Sequence, residues 1–288
     1  MTDYVFRLVN VFAQTPLSGN PLCVFEDARG LDGPLMQAVA LQFNLSETTF
    51  VLPSQRASAS VRIFTPTFEM PFAGHPTLGT AHVVRTLRAT GDALTLEMPA
   101  GIIPVQANGG LWTLQANAPV HRQPTASPAD LAAMLGLAPA DLADAPALWV
   151  NTGSDQLVIP LASRDAVQRA LPRAELLLAH GSNGQRAMAY VWAYEPDDVN
   201  AVDGGRAVVA RFFFPKHASV IEDPGTGSAC ANLGGWLLAT GAPLPQQLTI
   251  AQGAAVGRPS RLFLEVTADA RILVSGRVIE IARGVLSL

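Results

Sequence analysis

The chain has 288 residues, of which 49% are hydrophobic and 15% are charged. At about 150 residues per domain this length predicts roughly two domains, and the apolar fraction excludes a mainly disordered chain. Nineteen basic and 23 acidic residues give a formal net charge of −4, with no dense run of Lys or Arg. The sequence therefore shows no basic segment that would indicate binding to nucleic acid or to an anionic membrane.

The cysteine count and the lengths of the apolar segments help to predict the cellular compartment of the protein. Cys23 and Cys230 are too few for a disulfide framework, and they lack the C-x-x-C spacing of zinc and redox sites. The first residues do not follow the pattern of a secretory leader, and no apolar stretch approaches the length of a membrane span. We expect a reduced, cytoplasmic, soluble protein.

The hydrophobic pattern predicts strands and helices that alternate along the chain. Asp32 is placed to cap a helix that begins at Gly33, and turn residues separate the first two strands. A polar, proline-rich stretch at residues 119–128 is predicted to be an interdomain linker. The strands are predicted at residues 5–12, 22–25, 48–52, 60–64, 94–98, 102–106 and 111–115, and the helices at 33–43 and 75–88.

The two halves of the chain share a series of landmarks. RIFTP at residues 62–66 is matched by RFFFP at 211–215, and a glycine-bearing loop follows each. After each loop comes a small-residue helix that ends in Thr-Gly, at Thr90 and at Thr240. The offset is about half the chain, which predicts a duplicated domain rather than a solenoid. The alternative is that strand–loop–helix–strand recurs in any α/β protein. Duplication would give two similar lobes that face each other, with the site in the cleft between them.

Each half places a glycine-rich turn directly before a helix. A helix N-terminus presents unpaired N–H groups and partial positive charge, and glycine allows a ligand to approach the backbone. Two such termini would hold an anionic small molecule from both sides. The alternative is that these glycines only satisfy turn geometry.

Several other chemistries lack support. Cys230 stands where a dinucleotide fingerprint needs its third glycine. His75 and His82 lie about two helical turns apart, roughly 10 Å, which is too far for one metal ion. No G-x-S-x-G motif of a serine nucleophile is present. A two-cysteine racemase would need a thiol at the head of each helix, and this sequence lacks that pair.

Carboxylates and His75 remain as candidates for acid/base chemistry. Glu47 enters an apolar strand, where a charge is out of place unless it caps the preceding helix or serves a site. Asp223 lies beside the second glycine loop. A buried glutamate in a cleft would have a raised pKa and could exchange a proton near neutral pH.

Four motifs in order carry a resemblance to a known family. They are FAQTPLSGNPLCVF at residues 12–25, LSETTF at 45–50, PFAGHPTLG at 71–79 and EDPGTGSA at 222–229. With these motifs the chain resembles the PhzF-like isomerases of phenazine biosynthesis, within the diaminopimelate epimerase and proline racemase fold group. The resemblance spans essentially the full length.

The resemblance implies an α+β fold with two similar lobes, each a curled, mostly antiparallel sheet around a central helix, related by a pseudo-twofold duplication. It implies an N-terminal lobe of residues 1–118 plus 277–288 and a C-terminal lobe of residues 119–276. The last strand of the chain then returns to the first lobe. The family members usually form homodimers, so a homodimer is expected here.

The resemblance also assigns the site. The implied mechanism needs no metal or organic cofactor: a glutamate removes a C–H proton from a small carboxylate substrate and returns it to a distant carbon. The founding reaction isomerises trans-2,3-dihydro-3-hydroxyanthranilate. The implied catalytic residues are Glu47, His75 and Asp223, and the implied substrate-binding residues are Gly74, Gly227 and Ser228.

Three questions stay open at this point. The substrate could be a different small acid outside phenazine synthesis, handled by a related isomerase or epimerase. The chain could instead be a non-catalytic acid-binding or interaction protein of the same fold. His75 and Asp223 could transfer protons or only position the substrate.

Overall fold

The polypeptide divides into two compact units. Unit 1 comprises Met1–Gln115 and Ser275–Leu288, and unit 2 comprises Ala116–Val274. Thr90, at the predicted end of the first small-residue helix, lies outside the described residues. The computed structural model describes residues 1–89, 91–196, 205–216 and 219–288.

The elements follow one another in both units with the same general order of strands and helices. Unit 1 contains β1 (Asp3–Val11), β2 (Asn20–Phe25), α1 (Gly33–Phe43), β3 (Glu47–Leu52), β4 (Ala59–Phe64), β5 (Glu69–Met70), α2 (Gly74–Arg88), β6 (Ala93–Met98), β7 (Gly101–Asn108) and β8 (Leu111–Gln115). Unit 2 contains β9 (Val120–Arg122), α3 (Pro128–Met134), β10 (Leu148–Asn151), β11 (Asp155–Pro160), α4 (Arg164–Arg169), α5 (Ala174–His180), β12 (Ala189–Tyr194), β13 (Arg206–Lys216), β14 (Ser219–Asp223), α6 (Gly227–Ala239), β15 (Gln246–Gln252) and β16 (Ser260–Val266). Strand β17 (Ile272–Ser287) begins in unit 2 and continues in unit 1.

In unit 1 the sheet closes on itself around α2. Strand β1 pairs antiparallel with β2 and β17, β2 runs parallel to β3, and β4 runs parallel to β6. The antiparallel pairs β3–β4, β6–β7 and β7–β8 and the pairing of β17 with β8 complete the ring. Ten of the fifteen residues of α2 are buried against strands of this ring. Closure leaves the ring without an open edge.

Local sequence explains where α1 begins and ends. Asp32 Oδ1 accepts a hydrogen bond from the Leu35 N–H at 2.9 Å, so the predicted cap is confirmed. Pro34 occupies the first turn, where its missing N–H costs nothing. The helix ends at Asn44, which adopts the left-handed conformation with φ of 51°.

Unit 2 repeats the topology of unit 1. Strand β11 runs parallel to β12 and β13 parallel to β15, while β10–β11, β12–β13 and β15–β16 are antiparallel. The duplication and the predicted fold class are confirmed. An ion pair and a cation–π contact recur at matching positions. Arg62 pairs with Glu69 and lies 5.0 Å from the centre of the Phe64 ring, and Arg211 pairs with Glu222 and lies 4.7 Å from that of Phe213.

One predicted segment differs from the structure. Residues 119–128, predicted to be an interdomain linker with no strand or helix assigned, contain strand β9, which pairs antiparallel with β10. Arg122 anchors it, because its guanidinium lies 5.0 Å from the Trp149 ring centre and donates to both oxygens of Asp155 at 2.7 and 2.8 Å. The strand was not predicted because the flanking prolines indicated a loop and the strand has only three residues. Within the described ranges, no helix has the length and apolarity needed to cross a bilayer.

Candidate active site

The predicted site residues of unit 1 meet where β3 begins and α2 begins. Glu47 is the first residue of β3, and Gly74 and His75 open α2. The Nε2 atom of His75 lies 3.4 Å from Oε2 of Glu47, and only 7% and 16% of the two side chains are exposed. The structure thus brings together Glu47, Gly74 and His75, which we call the unit 1 set.

The proton on the His75 ring is fixed by its surroundings. His75 makes a hydrogen bond with the backbone of Pro21, and because proline has no N–H, the ring must donate to the Pro21 carbonyl. Nε2 has no hydrogen-bond partner among the described residues, so Nδ1 is the donor. Burial lowers the pKa of His75 to about 3, against the opposing effect of this bond. The ring is therefore neutral at physiological pH.

This tautomer determines what Glu47 faces. With Nδ1 protonated, Nε2 carries a lone pair and can only accept a hydrogen bond. The 3.4 Å contact becomes a hydrogen bond when the Glu47 carboxyl carries a proton. The pair is suited to a carboxyl group that takes up a proton and gives it back.

The neutral His75 predicts a pH dependence of stability. The unfolded chain gains a proton near pH 6.5 that the folded chain does not, so the free energy of unfolding falls as pH drops from about 6.5 toward 3. For one such group the slope is about 1.4 kcal/mol per pH unit. We expect His75→Gln to flatten the profile by about this amount in urea unfolding at several pH values, and the exposed His121→Gln control to leave it unchanged. Equal slopes for wild type and His75→Gln would contradict the assignment.

The two buried helices, α2 and α6, begin without a side-chain cap, unlike α1, α3 and α4. Neither Ala73 before α2 nor Thr226 before α6 caps its helix, and neither first turn contains an acidic residue. By contrast, Asp32, Ser127 and Ser163 cap α1, α3 and α4. The first-turn N–H groups of α2 and α6 are therefore not satisfied by a capping side chain. This is the arrangement that binds carboxylates and phosphates.

In unit 2, Thr226 directs its hydroxyl toward Asp223 instead of its own helix. The Thr226 N–H donates to Oε1 of Gln252 at 3.3 Å, and Nε2 of Gln252 donates to the Asp223 carbonyl at 2.9 Å. The same Nε2 donates to the Thr226 hydroxyl at 2.9 Å, so that hydroxyl gives its proton to Oδ2 of Asp223 at 2.5 Å. Asp223 is thus held as a hydrogen-bond acceptor beside the head of α6.

Ser228 completes what we call the unit 2 set, with Asp223 and Gly227. It is the second residue of α6, and its hydroxyl accepts a hydrogen bond from Gln156 at 2.9 Å. Asp223 ends β14, three residues before the Thr226 that precedes the helix. Each set is therefore assembled within its own unit by a strand and the head of the buried helix.

Sequence reasoning missed the residues that support these sets. Asn232 carries a visible signal, since it is an amide inside α6, a helix whose other side chains are apolar apart from Ser228. Pro21 and Thr226 lie within two of the quoted motifs, although the motifs do not show which bonds they make. Gln156 and Gln252 have no signal, because their role depends on segments that meet only in the fold. The missed residues are Pro21, Gln156, Thr226, Asn232 and Gln252.

Neither cysteine is placed for catalysis. Cys23 and Cys230 are fully buried, and burial raises the pKa of both thiols. Cys230 lies one turn inside α6, and Cys23 lies on β2. In the described part of the chain, no group of three or more His, Cys, Asp or Glu side chains is arranged to hold a metal ion.

The buried thiols predict chemical inertness. A thiol reacts as the thiolate, and both thiols stay protonated and shielded from solvent. We expect the native protein to release almost no thionitrobenzoate from Ellman's reagent, and two equivalents per chain after unfolding in guanidinium. Rapid reaction of one thiol in the native protein would show that it lies in an accessible, activating environment.

The fold defines a class of proteins. A hydroxyproline epimerase of Agrobacterium vitis has the same fold, with a TM-score of 0.65 at 13% identity over 99% of this chain and 93% of that chain. The chain thus shares the overall fold of that epimerase.

The family follows from the sequence. The model for phenazine biosynthesis-like proteins, PhzC-PhzF, matches residues 9–284, so the chain belongs to the PhzF family. An uncharacterized isomerase of Pasteurella multocida is 39% identical over 99% of this chain and 95% of its own length. The trans-2,3-dihydro-3-hydroxyanthranilate isomerase of Pseudomonas aeruginosa is 36% identical over 90% of this chain and 88% of its own.

A solved structure agrees with this membership. The PhzF-family phenazine biosynthesis protein of Bacillus anthracis superposes with a TM-score of 0.89 at 26% identity, over the full length of both chains. With the named relatives, this establishes the chain as an isomerase of the PhzF family.

Proposed function

We propose that this isomerase moves a proton on a small carboxylic acid without a metal or organic cofactor, with Glu47 as the acid/base group. The observation that carries the proposal is the contact between Glu47 and a neutral His75 whose Nε2 can only accept. The relatives named as trans-2,3-dihydro-3-hydroxyanthranilate isomerases support that compound as the substrate.

The groups of the two sets differ in the hydrogen-bonding partners that they suit. Uncapped N–H groups and the Ser228 hydroxyl suit a carboxylate, and the Asp223 carboxylate suits a group that donates. A substrate with a carboxylate next to an amine or hydroxyl matches this pattern. trans-2,3-Dihydro-3-hydroxyanthranilate carries all three groups.

The proposed reaction is balanced, since substrate and product are isomers. Ionised Glu47 takes a C–H proton beside the conjugated system, and the electron pair of that bond moves into the conjugated system. Protonated Glu47 is then hydrogen-bonded to Nε2 of His75, which keeps the proton near the substrate. Glu47 returns the proton to a distant carbon and is ionised again. The helix N–H groups offset negative charge that develops in the transition state.

The proposal is tested with purified protein, trans-2,3-dihydro-3-hydroxyanthranilate and ¹H NMR, in a chelator-treated buffer without added cofactor. We expect the substrate signals to be replaced by those of an isomer in which a C–H has moved. Binding of this acid without turnover would overturn the substrate assignment and direct the search to other small carboxylic acids. A requirement for added metal or cofactor would overturn the mechanism.

We also propose a homodimer, which light scattering after size-exclusion chromatography would detect as twice the mass of one chain. The cytoplasmic location stays a prediction. So do the domain boundaries of residues 1–118 with 277–288, and 119–276.

A further inference from the structure

The hydroxyl of Ser228 ends a chain of buried hydrogen bonds inside unit 2. Nε2 of Gln156 lies 2.9 Å from Ser228 Oγ, and Nδ2 of Asn232 lies 2.7 Å from Oε1 of Gln156. Asn232 is fully buried and Gln156 is 3% exposed. Buried amides destabilise a fold unless their donors and acceptors are paired, so the direction of each bond is constrained.

Two backbone groups fix the orientation of the Asn232 amide. The Thr152 N–H can only donate and lies 3.0 Å from Asn232 Oδ1, which also accepts the Thr152 hydroxyl at 2.7 Å. The Ser154 carbonyl can only accept and lies 2.8 Å from Asn232 Nδ2. Exchanging the oxygen and nitrogen of Asn232 would place donor against donor and acceptor against acceptor.

The orientation of the Asn232 amide determines that of the Gln156 amide and, through it, that of the Ser228 hydroxyl. Because Nδ2 of Asn232 donates, the Gln156 atom that it meets must be the oxygen, and the remaining Gln156 nitrogen donates to Ser228 Oγ. The Ser228 proton therefore points away from Gln156. Within the residues that the structure describes, no oxygen accepts that proton.

We propose that Gln156, held by Asn232, is a positioning residue that makes Ser228 a hydrogen-bond donor toward the substrate carboxylate. This inference rests on the proposed function, because it takes a carboxylate as the ligand of Ser228. A carboxylate can only accept, so a serine whose proton is already directed outward binds it without reorientation. The fixed polarity of Asn232 and Gln156 supplies that direction.

The sharpest test is Gln156→Glu, which keeps the length of the side chain and reverses its polarity toward Ser228. One oxygen of the new side chain still accepts from Asn232, and the other accepts the Ser228 proton. We expect the KM for trans-2,3-dihydro-3-hydroxyanthranilate to rise by roughly 10- to 100-fold, with kcat within about 3-fold of wild type. A merely structural role would instead lower kcat and the thermal midpoint together.

Control variants distinguish the effect of the reversed hydrogen bond to Ser228 from the effect of the added negative charge. In a Ser228→Ala background, Gln156→Glu should add less than about a 3-fold effect on KM, because the two residues act through one bond. A full effect in that background would show charge repulsion and overturn the inference. Gln156→Met, which removes the donor without adding charge, should raise KM less than Gln156→Glu. Gln247→Glu on the exposed surface of β15 should leave KM unchanged.

A neutron structure of the unliganded, deuterium-exchanged wild-type protein tests the inference without activity or folding of a variant. We expect two deuterons on Nε2 of Gln156 and a Ser228 deuteron directed away from it. A Ser228 deuteron on the line to Gln156 would overturn the inference. If the wild-type protein does not turn over the substrate, the proposed function fails, and the neutron map still decides the orientation of Ser228.

Discussion

Replacing Glu47 with Gln is expected to lower kcat for trans-2,3-dihydro-3-hydroxyanthranilate by roughly 10²- to 10⁴-fold, because the amide cannot take up the C–H proton. The side chain keeps its shape, and its position opposite Leu22 on β2 is set by the backbone of β3. Ligand binding should therefore change little. The measurement combines steady-state kinetics with calorimetric titration of 3-hydroxyanthranilate, a stable aromatic analogue.

The matched control is Glu175→Gln, which makes the same chemical change at an exposed position on α5. It should leave both kcat and the Kd of the analogue unchanged. A Glu47→Gln protein with normal kcat but a strongly raised Kd would make Glu47 a binding residue and exclude its role in proton transfer.

Replacing Gly253 with Ala is expected to cost about 3 kcal/mol of stability and to lower turnover as well. Gly253 has a φ of +78°, and an added Cβ would lie 2.3 Å from the Pro224 carbonyl oxygen and 2.4 Å from that of Arg258. The strained backbone accounts for about 1–2 kcal/mol, and the overpacking adds a similar amount. Because Pro224 follows Asp223, relief of the clash displaces the acceptor of the unit 2 set.

Gly257→Ala is the control in the same loop. Gly257 also has a positive φ, +69°, but nothing lies within 4 Å of an added Cβ. We expect only the backbone term, about 1 kcal/mol, and normal turnover. Thermal unfolding followed by circular dichroism measures both variants, and equal losses would show that the contacts with Pro224 and Arg258 yield without cost.

Much of the fold could be predicted from local patterns. The Asp32 cap and the period of the apolar residues place α1, and the recurrence of RIFTP and RFFFP reveals the duplication. The cap and the helical period depend on residues close in sequence, and the duplication is visible as a repeated string of residues without any knowledge of contacts. Strand β9 was missed because its pairing depends on Trp149 and Asp155, which lie about 30 residues further along the chain.

In the candidate site, too, the motifs could be recognised from the sequence, but the contacts between them could not. Glu47 and His75 lie in recognisable motifs, but their 3.4 Å contact depends on the packing of α2 against β3, and the His75 tautomer depends on the Pro21 carbonyl. The direction of a backbone carbonyl is not encoded in the residue type that bears it. Gln156 and Asn232 are 76 residues apart, so only the fold shows that they meet.

The most direct test of Glu47-dependent proton transfer is a side-by-side ¹H NMR time course of wild type and Glu47→Gln with trans-2,3-dihydro-3-hydroxyanthranilate in D₂O. Our expectation is that wild type converts the acid to an isomer, with any solvent deuterium confined to the reacting carbons, while the variant leaves it essentially unchanged over the same time. Isomer formation at equal rates by both proteins would contradict it.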